Sequence, residues 1–283
     1  MNKVVILTDS TADLGKELLD SYQIESIPLF VLFGEESFRD GIDITTKELY
    51  ERVEKTGILP KTSAVSPGSF FAFLEPKIKA GYDVLYMGIG SKFSATFQSA
   101  LLAQSELPEN RFFIVDSKNL SSGTGLLLLK AKDLRDKGLS AKEIKAEIEK
   151  VVPRVKSQFA IQTLDYLHKG GRASGTAKLF GTLLRIKPII QVRNGEMSVY
   201  KKPIGKMSRA LDIMLDDFFA EKDKLDLEYV MITHSEANRH AKYMKEKINS
   251  KVKVKHLLET YAGCVISSHC GSGTIGVLYL VKE

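Results

Sequence analysis

Short apolar runs alternate with amphipathic stretches through the first half of the chain. Residues 3–8 (Lys-Val-Val-Ile-Leu-Thr) carry the unbroken apolar run Val4–Leu7, the pattern of a strand covered on both faces. Leu14, Leu18, Leu19 and Tyr22 then recur at helical spacing. Residues 24–33 predict a second strand, 38–44 a polar loop, and 45–55 a helix with Thr45 and Glu48 as a capping box. The Pro/Ser/Thr-rich run 59–68 predicts a connection, with Ser66 and Pro67 opening a helix over 68–80. Strands follow at 84–87 and 112–116, and helices from about Ser94, over 120–137 and over 140–152. This alternation implies α/β architecture: an N-terminal parallel sheet with helices on both faces.

The rhythm changes near Pro153. A strand at 158–162, a short helix at 164–168 and a basic turn at 169–174 precede a helix at 176–184. Residues 188–201 predict a hairpin around Asn194-Gly195. Helices at 208–220 and 236–248 flank strands at 229–233 and 252–257. A polar run at 266–273 then leads to a last strand at 275–281. The expected organisation is an α/β domain over residues 1–153 and an α+β domain with a mixed sheet over 154–283, without internal repeats.

Composition narrows the chemistry. Among 283 residues, 41 Lys and Arg face 35 Asp and Glu, a net charge of +6 spread along the chain. No basic block marks a nucleic-acid partner. The two cysteines, Cys264 and Cys270, are too few for a disulfide framework and form no metal spacing, so no metal is expected. No apolar run is long enough to span a bilayer, and the start lacks a signal-peptide layout; a soluble cytoplasmic protein is expected.

Five polar clusters have no evident core role: 9–11, 61–63, 91–96, 170–174 and 267–273. Asp9, the Gly90–Ser94 run and Asp116 fall at the carboxyl edge of the parallel strands, where ligands of such sheets sit. The strand at 84–87 runs through the Gly/Ser turn from Gly88 into a helix opening near Ser94, an arrangement that can hold anions. Ser94 reads equally as a helix cap, Asp9 and Asp116 as caps, His269 as a loop histidine bonded to backbone, and Cys270 as a small buried residue. Ser94 and His269 also suggest a nucleophile and base acting on an acyl ester or acyl phosphate. The chain has no GxSxG elbow, and spacing identifies no carboxylate to orient the histidine. It also lacks the GxxxxGK[ST] phosphate loop of a nucleotide enzyme.

Taken in order, these segments resemble the DegV family, the fatty-acid-binding subunits of bacterial fatty acid kinase. The resemblance rests on Thr8-Asp9-Ser10-Thr11, Pro60-Lys61-Thr62-Ser63, Ser94-Ala95-Thr96-Phe97-Gln98-Ser99-Ala100 and Val115-Asp116-Ser117-Lys118. It continues through Thr163-Leu164-Asp165-Tyr166-Leu167, Lys169-Gly170-Gly171-Arg172, Lys187-Pro188-Ile189 and His269-Cys270-Gly271-Ser272-Gly273. It implies a non-catalytic carrier, without cofactor, holding a long-chain fatty acid in a tunnel between the domains. Carboxylate binding then falls on Thr62, Ser63, Ser94, Ala95, Arg172 and His269. The implied partners are a kinase catalytic subunit and an acyltransferase that uses the acyl phosphate for phospholipid synthesis. Lys201, Lys202, Lys206 and Arg209 are candidate docking charges, and a solvated basic face explains them equally. Ala95 stands where the family often has glycine, and Lys92 and Phe93 where it often has small residues. Phe30, Phe33, Phe93, Leu179 and Phe180 are expected to shape the tunnel.

Overall fold

A computed structural model of the chain describes residues 2–172 and 186–282. The first apolar run, Val4–Asp9, pairs in parallel with Ile24–Ile27 on one side and Asp83–Tyr86 on the other. Phe112–Ile114 completes a four-stranded, all-parallel sheet. The capping boxes at Thr45/Glu48 and Ser140/Glu143 are both formed, and Ser66 caps Pro67–Lys79 with proline at its start.

The segment expected as one strand over 24–33 is two. Pro28 has no N–H to give to a ladder, so pairing with Val4–Asp9 stops at Ile27. Phe30–Phe33 instead joins a separate antiparallel sheet between Glu36–Arg39 and Lys61–Ser63. The predicted polar loop and the Pro/Ser/Thr-rich connection each contribute a strand to it. Their hydrophobic alternation is too short to register as strands.

The second half builds a six-stranded mixed sheet. Its order is Glu196–Lys201, Ile189–Arg193, Val155–Ala160, Ile275–Val281, Leu225–His234 and His256–Tyr261. Only the last pair is parallel. Asn194 and Gly195 both have positive φ, 53° and 76°, as the tight hairpin requires. Helix Asn238–Lys251 runs three residues beyond its expected end, so the strand expected at 252–257 is displaced to His256–Tyr261. The helix expected at 176–184, with Ser174, Leu179 and Phe180, lies outside the described residues.

Helix Ser122–Asp136 joins the two halves. Its residues from Ser122 to Leu129 are all buried, because one side meets the parallel sheet and the other the six-stranded sheet. Leu126 to Leu129 share one core with Ile6 and Leu85 from the first sheet and Met231, Leu278 and Leu280 from the second. Gly123 permits this approach: a Cβ there would lie 2.0 Å from Asn119 Oδ1 and 2.7 Å from Ser157 Oγ. Helices Met207–Ala220 and Asn238–Lys251 cover the far face of the six-stranded sheet with a core of their own.

Candidate functional site

The polar run at 266–273 overlaps helix Cys264–Cys270. Its N-cap position is Gly263, which has no side chain to offer, so the caps come from remote carboxyls. Asp13 Oδ1 accepts from the Gly263 N–H at 2.8 Å, and Asp40 Oδ1 accepts from the Cys264 N–H at 2.7 Å. The other Asp13 oxygen accepts from the Ser121 hydroxyl. Negative charge suits a helix start. Burial opposes it and raises the pKa of both carboxyls.

The other end of this helix carries His269. Its Nε2 is hydrogen-bonded to Thr62 Oγ1 at 2.8 Å, while its Nδ1 is buried without a partner among the described residues. Burial, reinforced by the Arg172 charge, lowers the imidazole pKa to about 4, so the ring is neutral at neutral pH. Thr62 and Ser63 lie on Lys61–Ser63, where Thr62 is held opposite Val31. Arg172 is exposed after the Gly170-Gly171 turn, and its Nη1 donates to the Gly170 carbonyl at 2.8 Å.

Ser94 precedes helix Thr96–Ser105, with Ala95 at the N-cap position. The Thr96 N–H donates to Ser94 Oγ at 3.2 Å, and the two hydroxyls are 2.9 Å apart. The helix therefore starts two residues later than expected, and Ser94 satisfies part of its first turn. The preceding loop is pinned by Asp116, which accepts from the N–H and hydroxyl of Ser91. Asp9 caps its own turn through Thr11 and also accepts from Tyr86 Oη and the Ile89 N–H. Asp9 caps the short helical turn Ser10–Ala12, as the capping reading expects, whereas Asp116 caps no described helix and instead holds the Ser91 loop.

Thr62, Ser63, Ser94, Ala95, Arg172 and His269 all line one cavity of about 320 Å³. Phe93, Leu120, Phe159, Val192, Met197 and Leu278 give it an apolar wall. The volume is at the lower end for small-molecule sites. Phe30 and Phe33 do not line it: Phe30 lies opposite Ser63 in the small sheet, and Phe33 packs against Phe38 and Arg52.

A sequence model described as "Uncharacterised protein, DegV family" matches residues 3–282. The chain belongs to the DegV family. It is 36% identical over 282 residues to a DegV domain-containing protein of Clostridium acetobutylicum, with all of both chains covered. Among solved structures it is similar to a DegV-family protein of Thermus thermophilus described by its fatty acid binding. The TM-score is 0.93 at 29% identity, over 99% of this chain and 100% of that one. It is also similar to DegV of Bacillus subtilis, described as a fatty acid binding protein, with TM-score 0.87, 29% identity and full coverage of both.

Other features of this DegV-family chain bear on its chemistry. His269 Nε2 is engaged by Thr62 rather than Ser94, and no carboxylate meets its Nδ1 among the described residues, so the described residues assemble no Ser–His–carboxylate triad. Cys270 is buried with its thiol pushed up to about 12, an unreactive state. Gly271, Gly273 and Gly276 have the GxGxxG spacing of a dinucleotide fingerprint. Here they lead from a helix into a strand, the reverse of that motif's context. The described residues hold no cluster of three metal-ligating side chains, and no described helix is long and apolar enough to cross a membrane. Lys201 is paired with Asp217 at 2.7 Å, while Lys202, Lys206 and Arg209 are exposed; none of the four lines the cavity. Sequence reasoning missed Asp13, Asp40 and Ser121. Asp13 sits two residues after the noted Asp9–Thr11 cluster, which was the one available signal.

Proposed function

We propose that this protein binds a long-chain fatty acid in the cavity, with the carboxylate at the polar end formed by Thr62, Ser63, Ser94, Arg172 and His269. The observation that carries the reading is one cavity lined both by Thr62, Ser63, Ser94, Arg172 and His269 and by apolar side chains, with Thr62 and His269 in contact. The fatty-acid-binding descriptions of the Thermus thermophilus and Bacillus subtilis structures support it. If neutral His269 donates from Nε2 to Thr62 Oγ1, the Thr62 hydroxyl proton is directed to the ligand's anion. A chain of roughly fifteen methylenes grosses about 12 kcal/mol on burial. Neutral hydrogen bonds to the head add about 1 kcal/mol each. The tail then sets affinity and the head sets position.

The proposal extends to a carrier role in the cytoplasm. The bound acid is presented to a separate ATP-dependent kinase, which forms the acyl phosphate, and an acyltransferase then uses it for phospholipid synthesis. The kinase docks through Lys202, Lys206 and Arg209, with Lys201 held in place by Asp217. This chain performs no catalysis alone. Native mass spectrometry of the purified protein, followed by denaturing extraction, tests the binding claim. A co-purified long-chain fatty acid is expected. An empty protein that also refuses added palmitate and oleate would overturn it. For the carrier role, Ser94→Ala should impair phosphorylation by the kinase more than tail binding; unchanged phosphorylation would remove Ser94 from the site.

A further inference from the structure

A second groove, of about 480 Å³, lies against the cavity and shares Ser157, Gln158 and Val192 with it. None of the residues at the cavity's polar end lines this groove. We propose that the groove is a second polar subsite, which takes the acidic far end of a long α,ω-dicarboxylic acid whose near carboxylate lies at Thr62 and His269. The inference rests on the fatty-acid-binding reading and extends its ligand class.

The two spaces meet at the strand pair that carries Ser157 and Val192. Ser157 lines both, and its hydroxyl donates to Asn119 Oδ1, on the groove side, at 2.9 Å. The hairpin turn closes the flank. A Cβ on Gly195 would rest 3.6 Å from both Lys118 Cβ and Lys92 Cδ, and an exposed ion pair, Lys92 to Glu196 at 2.7 Å, tethers the turn. One neutral hydrogen bond and one exposed ion pair are each worth about 1 kcal/mol or less. Passage of the ligand's chain parts the Ser157 and Asn119 side chains, the latter also accepting from the Leu120 N–H at 3.1 Å.

The charges define the ligand. Lys118, Lys156 and Arg193 line the groove with a single carboxylate among the described residues, Glu149, which faces Lys145 at 3.8 Å. Lys118 and Arg193 are exposed and have no carboxylate partner among the described residues; Lys156 reaches Glu221 only at 3.7 Å. A methyl terminus gains nothing among such groups. A far-end carboxylate left inside the apolar cavity is strongly disfavoured, and placing it in the cationic groove removes that cost. Length then becomes the signature. A dicarboxylate too short to reach the groove is rejected, and one long enough is accepted.

Titration calorimetry of the full chain with decanedioic, hexadecanedioic and octadecanedioic acids, beside palmitic acid, tests this. The two longer diacids should bind, and decanedioic acid should not. The double variant Lys118→Glu/Arg193→Glu, at exposed positions outside the carboxylate-binding end, should weaken the longer diacids at least about fivefold and leave palmitate unchanged. Palmitate binding without any diacid binding would overturn the subsite, as would diacid binding that ignores the double variant. If palmitate itself fails to bind, the fatty-acid reading falls first and this inference with it.

Discussion

Gly170 and His269 occupy one another's space. A Cβ on residue 170 would lie 2.2 Å from His269 Nδ1 and 2.9 Å from its Cε1, so the imidazole can sit beside this turn only because position 170 has no side chain. Gly171 differs: its φ is 68° and nothing lies within 4 Å of its notional Cβ. The two glycines of one motif thus serve separate ends, packing at 170 and backbone conformation at 171.

That contrast makes a paired test. Gly170→Ala should displace His269 and lower fatty-acid affinity. Gly171→Ala should cost about 1–2 kcal/mol of stability through left-handed strain and leave affinity nearly intact. Thermal melts and ligand titrations on both variants check this. Equal losses of affinity would show that the ring is not wedged against residue 170.

Thr62→Val should strip His269 of its one ring hydrogen bond among the described residues and leave both ring nitrogens without a partner there. The expected loss is about 1–3 kcal/mol in stability, with Thr62→Ser recovering most of it. Chemical denaturation of the three proteins gives the comparison. A valine variant as stable as the parent would mean the Thr62–His269 contact contributes nothing.

Histidine ordinarily titrates near 6.5, and His269 is depressed to about 4, first by burial and then by the Arg172 charge. Unfolded chains therefore take up this proton near 6.5 while folded ones do not until about 4. The stabilisation from keeping the ring neutral is whole above about 6.5 and is lost as pH falls through that window. Ring NMR, assigned with His269→Gln, should show a midpoint near 4. A midpoint at the ordinary histidine value would place the ring in solvent.

Asp13→Ala removes the acceptor for both the Gly263 N–H and the Ser121 hydroxyl, and should destabilise by about 2 kcal/mol or more. Because the capped helix carries His269, the ring resonances should shift as well. Undisturbed His269 signals in a destabilised variant would confine Asp13 to a structural role.

Met197→Trp should fill part of the cavity from the hairpin side, weakening long-chain acids while sparing the fold. Competition among acids of increasing length reads this out. An unchanged length profile would place the acyl tail elsewhere.

Local pattern by itself determined much of this protein. The unbroken apolar runs specified parallel strands, the helical spacing and the Thr45 and Ser140 boxes specified helices, and Asn194-Gly195 specified a hairpin, because each depends on neighbours in sequence. The hydroxyl clusters and the His269 segment were visible in the same way, as residue types without a core role. The family order of those clusters named the residues that the cavity then brought together. Tertiary structure decided the rest. Pairing with Phe30–Phe33 made strands of two segments that lack a strand pattern of their own. Helix Cys264–Cys270 has no local cap and depends on Asp13 and Asp40, 250 and 224 positions from the N–H groups they accept. Thr62 and His269 meet across 207 positions. No sequence pattern encodes such contacts, because they exist only once a shared helix has buried the two sheets against each other.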